Sequence, residues 1–149
     1  MYHQVFKYLI DEYVSGRDTT LLSHITDFVG AQQILQGVDN PSGTAASGLN
    51  LGEPKYNVDE TAFTGAWGRP QRGWSITTSC PPRFSFLIDG PALRITALTT
   101  FANYLLSQTN SSYVTETLWP IIEKDANYVS SYWNQTTYEF SCAANSPII

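Results

Sequence analysis

The chain has 149 residues, 42% of them hydrophobic and 13% aromatic, which is the composition of one globular domain with a sizeable core. Only 14% are charged, and 8 basic against 13 acidic residues leave a net charge of −5. That balance excludes a nucleic-acid binder, which needs a basic face to displace phosphate counterions, and the aromatic content excludes a disordered chain. Few charges beside many Tyr, Trp, Ser and Thr suit a neutral, hydroxyl-rich ligand such as a sugar.

In chain order, Val5, Phe6, Leu9, Ile10, Tyr13 and Val14 form one stripe at helical spacing, ended by Gly16. Asp18 and Thr19 are placed to cap a second helix with the stripe Leu21, Leu22, Ile25, Phe28, Val29 and Leu35, stopped by Gly37. The short link predicts that these two helices pair as an antiparallel hairpin. A polar, Gly-rich connection from Val38 to Arg72 follows, and a loop of that length in a compact domain is usually functional. It concentrates Glu53, Asp59, Glu60, Trp67 and Arg69, with Glu53 read as a surface carboxylate. A third helix is predicted from Asp89, with Pro91 in its first turn and Leu93, Ala97, Leu98, Phe101, Tyr104 and Leu105 buried. The fourth uses Val114, Leu118, Ile121, Ile122, Val129 and Tyr132, with Pro120 near its start or kinking it. Trp133 is expected in the core beside a cleft. No strand pattern is present, so the expected class is all-α, built from helix pairs.

Cys80 and Cys142 form no metal-binding pattern, and His3 and His24 lack partners at ligand spacing, so no metal or other cofactor is expected. No apolar run approaches the roughly 20 residues of a membrane span. The first residues lack the basic start of a signal peptide. Two acceptor sequons, Asn110-Ser111-Ser112 and Asn134-Gln135-Thr136, matter only in a secretory pathway.

From Gly52 to Arg72 the sequence reads Gly-Glu-Pro-Lys-Tyr-Asn-Val-Asp-Glu-Thr-Ala-Phe-Thr-Gly-Ala-Trp-Gly-Arg-Pro-Gln-Arg, and it resumes at Asp89 as Asp-Gly-Pro-Ala-Leu-Arg. Together with Gln32 to Gly43, Leu118-Trp119-Pro120 and Tyr132-Trp133-Asn134-Gln135-Thr136, these runs resemble the fungal glucoamylases of glycoside hydrolase family fifteen. The resemblance implies part of an α/α barrel of six helical hairpins, with about four of its twelve helices in residues 1–149. It further implies a secreted, monomeric, inverting enzyme that removes glucose from the non-reducing ends of starch-like α-glucans or malto-oligosaccharides.

By the same resemblance Trp67 lines the sugar-binding cleft. Arg69 is read either as a donor to sugar hydroxyls or as a structural partner of Asp59 or Glu60. Asp89 is read as the cap of the third helix that also serves as a cleft residue. Glu139 takes the family's acidic proton-acceptor position, and Cys142 stands where the general acid belongs. Three departures accompany this. Met1 to Gln4 replaces a Trp-Thr-Arg-Asp run, and Ala143 replaces the carboxylate that follows the acid. Residues 73–88, Gly73 to Ile88, interrupt a run that the family makes continuous, which reads as a retained intron translated in frame. A thiol, with a reference pKa of roughly 8.5, is a poor proton donor to a glycosidic oxygen. The expected activity is therefore impaired, and the alternative is a non-catalytic helical chain that binds carbohydrate weakly.

Overall fold

A computed structural model describes residues 2–53, 55–65 and 89–134 of the chain. Four long helical segments dominate: α1 (Tyr2–Val14), α2 (Leu22–Leu35), α3 (Asp89–Ser107) and a run made of α4 (Ser111–Tyr113), a π turn (Val114–Leu118) and α5 (Trp119–Tyr132). Short 3-10 turns at Thr19–Leu21, Ala45–Ser47 and Leu49–Gly52 complete the helical inventory of the described residues. Their only β pairing is two isolated bridges, Asn40 with Gly43 and Tyr56 with Ala62.

Each helix ends or bends for an identifiable reason. At the end of α1 the N–H of Gly16 donates to the Tyr13 carbonyl at 3.0 Å and that of Arg17 to Glu12 at 3.1 Å, with Gly16 at φ 74°. This is the Schellman arrangement, and the left-handed residue it needs is the glycine. The same pattern closes α3 without a glycine. Thr109 takes φ 64°, and the Asn110 N–H reaches the Leu105 carbonyl at 3.0 Å. Asp18 accepts from the Thr20 N–H at 2.9 Å, so it caps the 3-10 turn that leads into α2. Pro120 has no N–H for a carbonyl four residues back, and its ring would crowd that carbonyl. The preceding turn widens, and the Trp119 N–H donates to Val114, five residues back. Pro120 therefore sits in the first turn of α5 rather than breaking it.

The core joins Phe6 and Ile10 of α1, Ile25 and Val29 of α2, Ala97, Leu98, Phe101 and Leu105 of α3, and Val114, Leu118, Ile121 and Ile122 of the last run. Contrary to the simple hairpin expectation, α1 packs mainly along α3 and only lightly on α2. Aromatic contacts accompany both packings: Tyr13 meets Phe101 and Tyr104 of α3 edge-on, at ring separations of 6.0 and 5.5 Å, and Phe6 stacks on Phe28 of α2. Leu22 and Ile34 remain exposed on α2, as do Val5 and Tyr8 on α1.

Replacing Gly16 by Ala forces a side chain into the left-handed region, which costs roughly 1–2 kcal/mol. Urea unfolding of Gly16→Ala should show a lower midpoint with an unchanged slope, and an unaltered midpoint would refute the role given to this residue.

Candidate functional site

The buried face of α2 runs Ile25, Val29, Gln32 and Gln36, at intervals of four, three and four residues, so an apolar stripe continues as two amides. On α3 Arg94 precedes Ala97, Leu98 and Phe101 on the same face, and on α5 Asp125 follows Leu118, Ile121 and Ile122. Three helices thus change from apolar to polar at one end of the core. That end carries the first half of α3, the C-terminal end of α2 and the middle of α5.

There the polar groups satisfy one another. Arg94, 7% exposed, donates from Nε to Asp125 Oδ2 and from Nη2 to Asp125 Oδ1, both at 2.6 Å. Its Nη1 donates to Gln32 Oε1 at 2.9 Å. Gln36 Nε2 donates to Asp125 Oδ1 at 2.9 Å and to the Ile121 carbonyl at 3.1 Å. Asp125 has no exposed surface, so burial pushes its carboxyl upward, opposed by the hydrogen bonds and charge of Arg94 and by Gln36.

The same network reaches the long connection. Asn50, fully buried, donates to the carbonyls of Gln36 and Val38 at 3.2 and 3.1 Å. Asn40 Nδ2 donates to the Asn50 carbonyl and to the Tyr56 hydroxyl, each at 3.0 Å, and the Tyr56 O–H donates to the Asn50 carbonyl at 3.3 Å. Asn40 Oδ1 accepts from the Ser42 N–H at 2.9 Å, which folds the Asn-Pro-Ser-Gly run into a tight turn. A Cβ at Gly43 would collide with that of Leu49, so the turn packs against the 3-10 segment only with glycine there. Burial is the main reason the Tyr56 phenol is pushed up to about 12, against the lowering effect of Asn40. The last described part of the connection is a hairpin-like turn in which Asp59 Oδ1 accepts from the Thr61 hydroxyl at 2.6 Å, and Lys55 Nζ lies 3.9 Å above the Phe63 ring.

A cleft of about 290 Å³ opens beside this scaffold, bounded by Ser47, Asn50 and Leu51 on one side and by Lys124, Tyr128 and Tyr132 of α5 on the other. The Tyr128 and Tyr132 rings lie 4.9 Å apart. Burial raises the Tyr128 phenol well above its ordinary value. Among the described residues no group of three His, Cys, Asp or Glu side chains is arranged to hold a metal. No described helix is long and apolar enough to cross a membrane.

Two sequence expectations are corrected here. Glu53 is not a surface carboxylate: it is 5% exposed, and its Oε2 accepts from Ser42 Oγ at 2.8 Å, because the Asn40 turn folds over it. Trp133 is not core: it is 68% exposed, since it follows the last buried turn of α5. Asp89 is the first residue of α3, as expected, with its side chain outside the described residues. Trp67, Arg69, Arg72, Glu139, Cys142 and the segment 73–88 also lie outside the described residues. Gln32, Gln36, Asn50, Arg94 and Asp125 went unnoticed in the sequence as site supports. The signal available was a charged or amide residue at each place where an apolar stripe should have continued.

The all-α frame of the described residues is that of glucoamylases, whose structures are α/α barrels. Two solved structures share it: the family 15 glucoamylase from Hypocrea jecorina, with TM-score 0.75 and 40% identity over 93% of this chain, and that of Hormoconis resinae, with TM-score 0.74 and 42% identity over 91%. The sequence profile described as Glycosyl hydrolases family 15 matches residues 3–140, and the chain belongs to that family. Glucoamylase-1 of Schizophyllum commune is 51% identical over 135 residues, 91% of this chain. The chain spans about a fifth of these proteins, 20% of the length of each.

The half-buried Tyr56 phenol gives a pH signature. Tyr56 ionises near 10 when unfolded and about 12 when folded, so the native state holds more protons between these values. Its contribution is fully present below about pH 10 and is lost as pH rises through about 12. Denaturant titrations across this window should therefore show stability falling with pH, and falling less steeply in Tyr56→Phe. Parallel curves for the two proteins would contradict the desolvation of this hydroxyl.

Proposed function

We propose that this chain carries part of the catalytic domain of a secreted, monomeric glucoamylase, acting on the non-reducing ends of α-1,4-linked glucans. Support for the reading rests chiefly on the 51% identity with a fungal glucoamylase across nearly the whole chain. The connection held by Asn40, Asn50 and Tyr56 leads within two residues of Gly65 to Trp67 and then to Arg69. In this reading the Trp67 indole covers the C–H face of the terminal glucose, while Arg69 and Asp89 bind its hydroxyls.

Hydrolysis with inversion requires one carboxylic acid to protonate the departing oxygen and one carboxylate to activate water on the opposite face. Glu139 takes the acidic proton-acceptor position of the family pattern, and Cys142 the position of the acid. A thiol there transfers its proton poorly at the pH where a tuned carboxylic acid works. The chain as written is accordingly an impaired form, one that binds glucan ends better than it cleaves them. The segment 73–88 is a retained intron translation in this account, inserted between Arg72 and Asp89.

Binding and turnover separate the parts of this proposal. Titration of the chain with maltotriose, followed by calorimetry, should show weak binding that Trp67→Ala lowers about tenfold, equivalent to about 1.4 kcal/mol. Glucose release from the same sugar should be at background. Release matching that of the Schizophyllum commune enzyme assayed alongside would refute impairment, and unchanged affinity in Trp67→Ala would remove that residue from the site.

A further inference from the structure

The sequon Asn110-Ser111-Ser112 is absorbed by neither the fold nor the glucan site. All three residues are exposed: Asn110 lies in the turn that joins α3 to α4, and Ser111 and Ser112 begin α4. The backbone there is fixed by the Schellman closure of α3, in which Thr109 is left-handed and the Asn110 N–H is held by Leu105. The Asn110 side chain makes no capping hydrogen bond to the following helix.

We propose that Asn110 is a site of N-linked glycosylation. This rests on the reading above that the protein passes through the secretory pathway. Nδ2 of Asn110 forms a bond to C1 of the reducing-end sugar of a lipid-diphosphate-linked oligosaccharide. The C1–O bond to the diphosphate breaks, the lipid diphosphate departs with its electron pair, and the proton lost from Nδ2 passes to a base of the transferase. The Ser112 hydroxyl completes the acceptor triplet.

The fold places the glycan away from the site. Asp89 begins α3 and Ser107 ends it, 19 residues that span roughly 27 Å at 1.5 Å per residue. The Arg94 network and the connection it holds belong to the Asp89 end, whereas Asn110 follows the opposite end. An oligosaccharide at Asn110 therefore projects from the end of α3 remote from the Arg94 network.

The test directs the full chain into the yeast secretory pathway with a cleavable leader and recovers all of it, secreted and retained, for intact mass measurement with and without endoglycosidase H. Asn134→Gln, which removes the other sequon, should keep one endoglycosidase-sensitive glycan. Asn110→Gln added to it should abolish that glycan, as should Ser112→Ala, which keeps the asparagine. Leader-cleaved Asn134→Gln chain without a glycan would overturn the proposal. A glycan on the leader-directed chain, with none on the protein from its natural host, would support the acceptor site and instead overturn the reading of secretion.

Discussion

The Arg94–Asp125 pair is the constraint on which the arrangement of helices and loop depends. Two charges with almost no solvent contact cost several kcal/mol each to desolvate, and they repay it only when every donor and acceptor around them is met. Here two hydrogen bonds join the pair, Gln32 takes a further guanidinium donor, and Gln36 supplies one to the carboxylate. Because Gln32 belongs to α2 and Gln36 caps its end, Arg94 belongs to α3 and Asp125 to α5, only one axial register of three helices satisfies the set. Apolar packing alone is less demanding, since Leu, Ile and Phe faces tolerate small slides.

The pair also explains why an extended, polar connection has a defined shape. Gln36 ends the helical part of the network, and its carbonyl accepts from Asn50, whose own carbonyl accepts from Asn40 and Tyr56. Order is passed from the helical core to the loop through side-chain amides rather than through strands. Residues 38–52 consequently fold over Glu53, with Ser42 donating to its carboxylate.

Much of the helical frame was legible because apolar residues recur at three and four positions. Phe6, Ile10, Ile25, Val29, Leu98, Phe101, Leu118 and Ile121 are all buried as that spacing requires. The same rule fails where the buried face is polar: Arg94 and Asp125 look like solvent residues until their partners, on other helices, are in view. Glu53 was hidden for a related reason, since its burial comes from a turn eleven residues earlier in the chain. Trp133 shows the opposite error, a large apolar side chain that lies one position beyond its helix and remains exposed. The sugar-binding and catalytic assignments at Trp67, Arg69, Glu139 and Cys142 came from motif resemblance, not from periodicity, which carries no information about them.

A double-mutant cycle on the buried pair tests this account most directly. Equilibrium unfolding would be measured for the parent chain, Arg94→Met, Asp125→Leu and the combined variant. Each single change leaves one buried charge without its partner and should cost about 3–5 kcal/mol, while the double change removes both charges and should cost far less than the sum. Costs that add to within about 0.5 kcal/mol would show the two residues to be energetically independent, and would contradict the role given to them here.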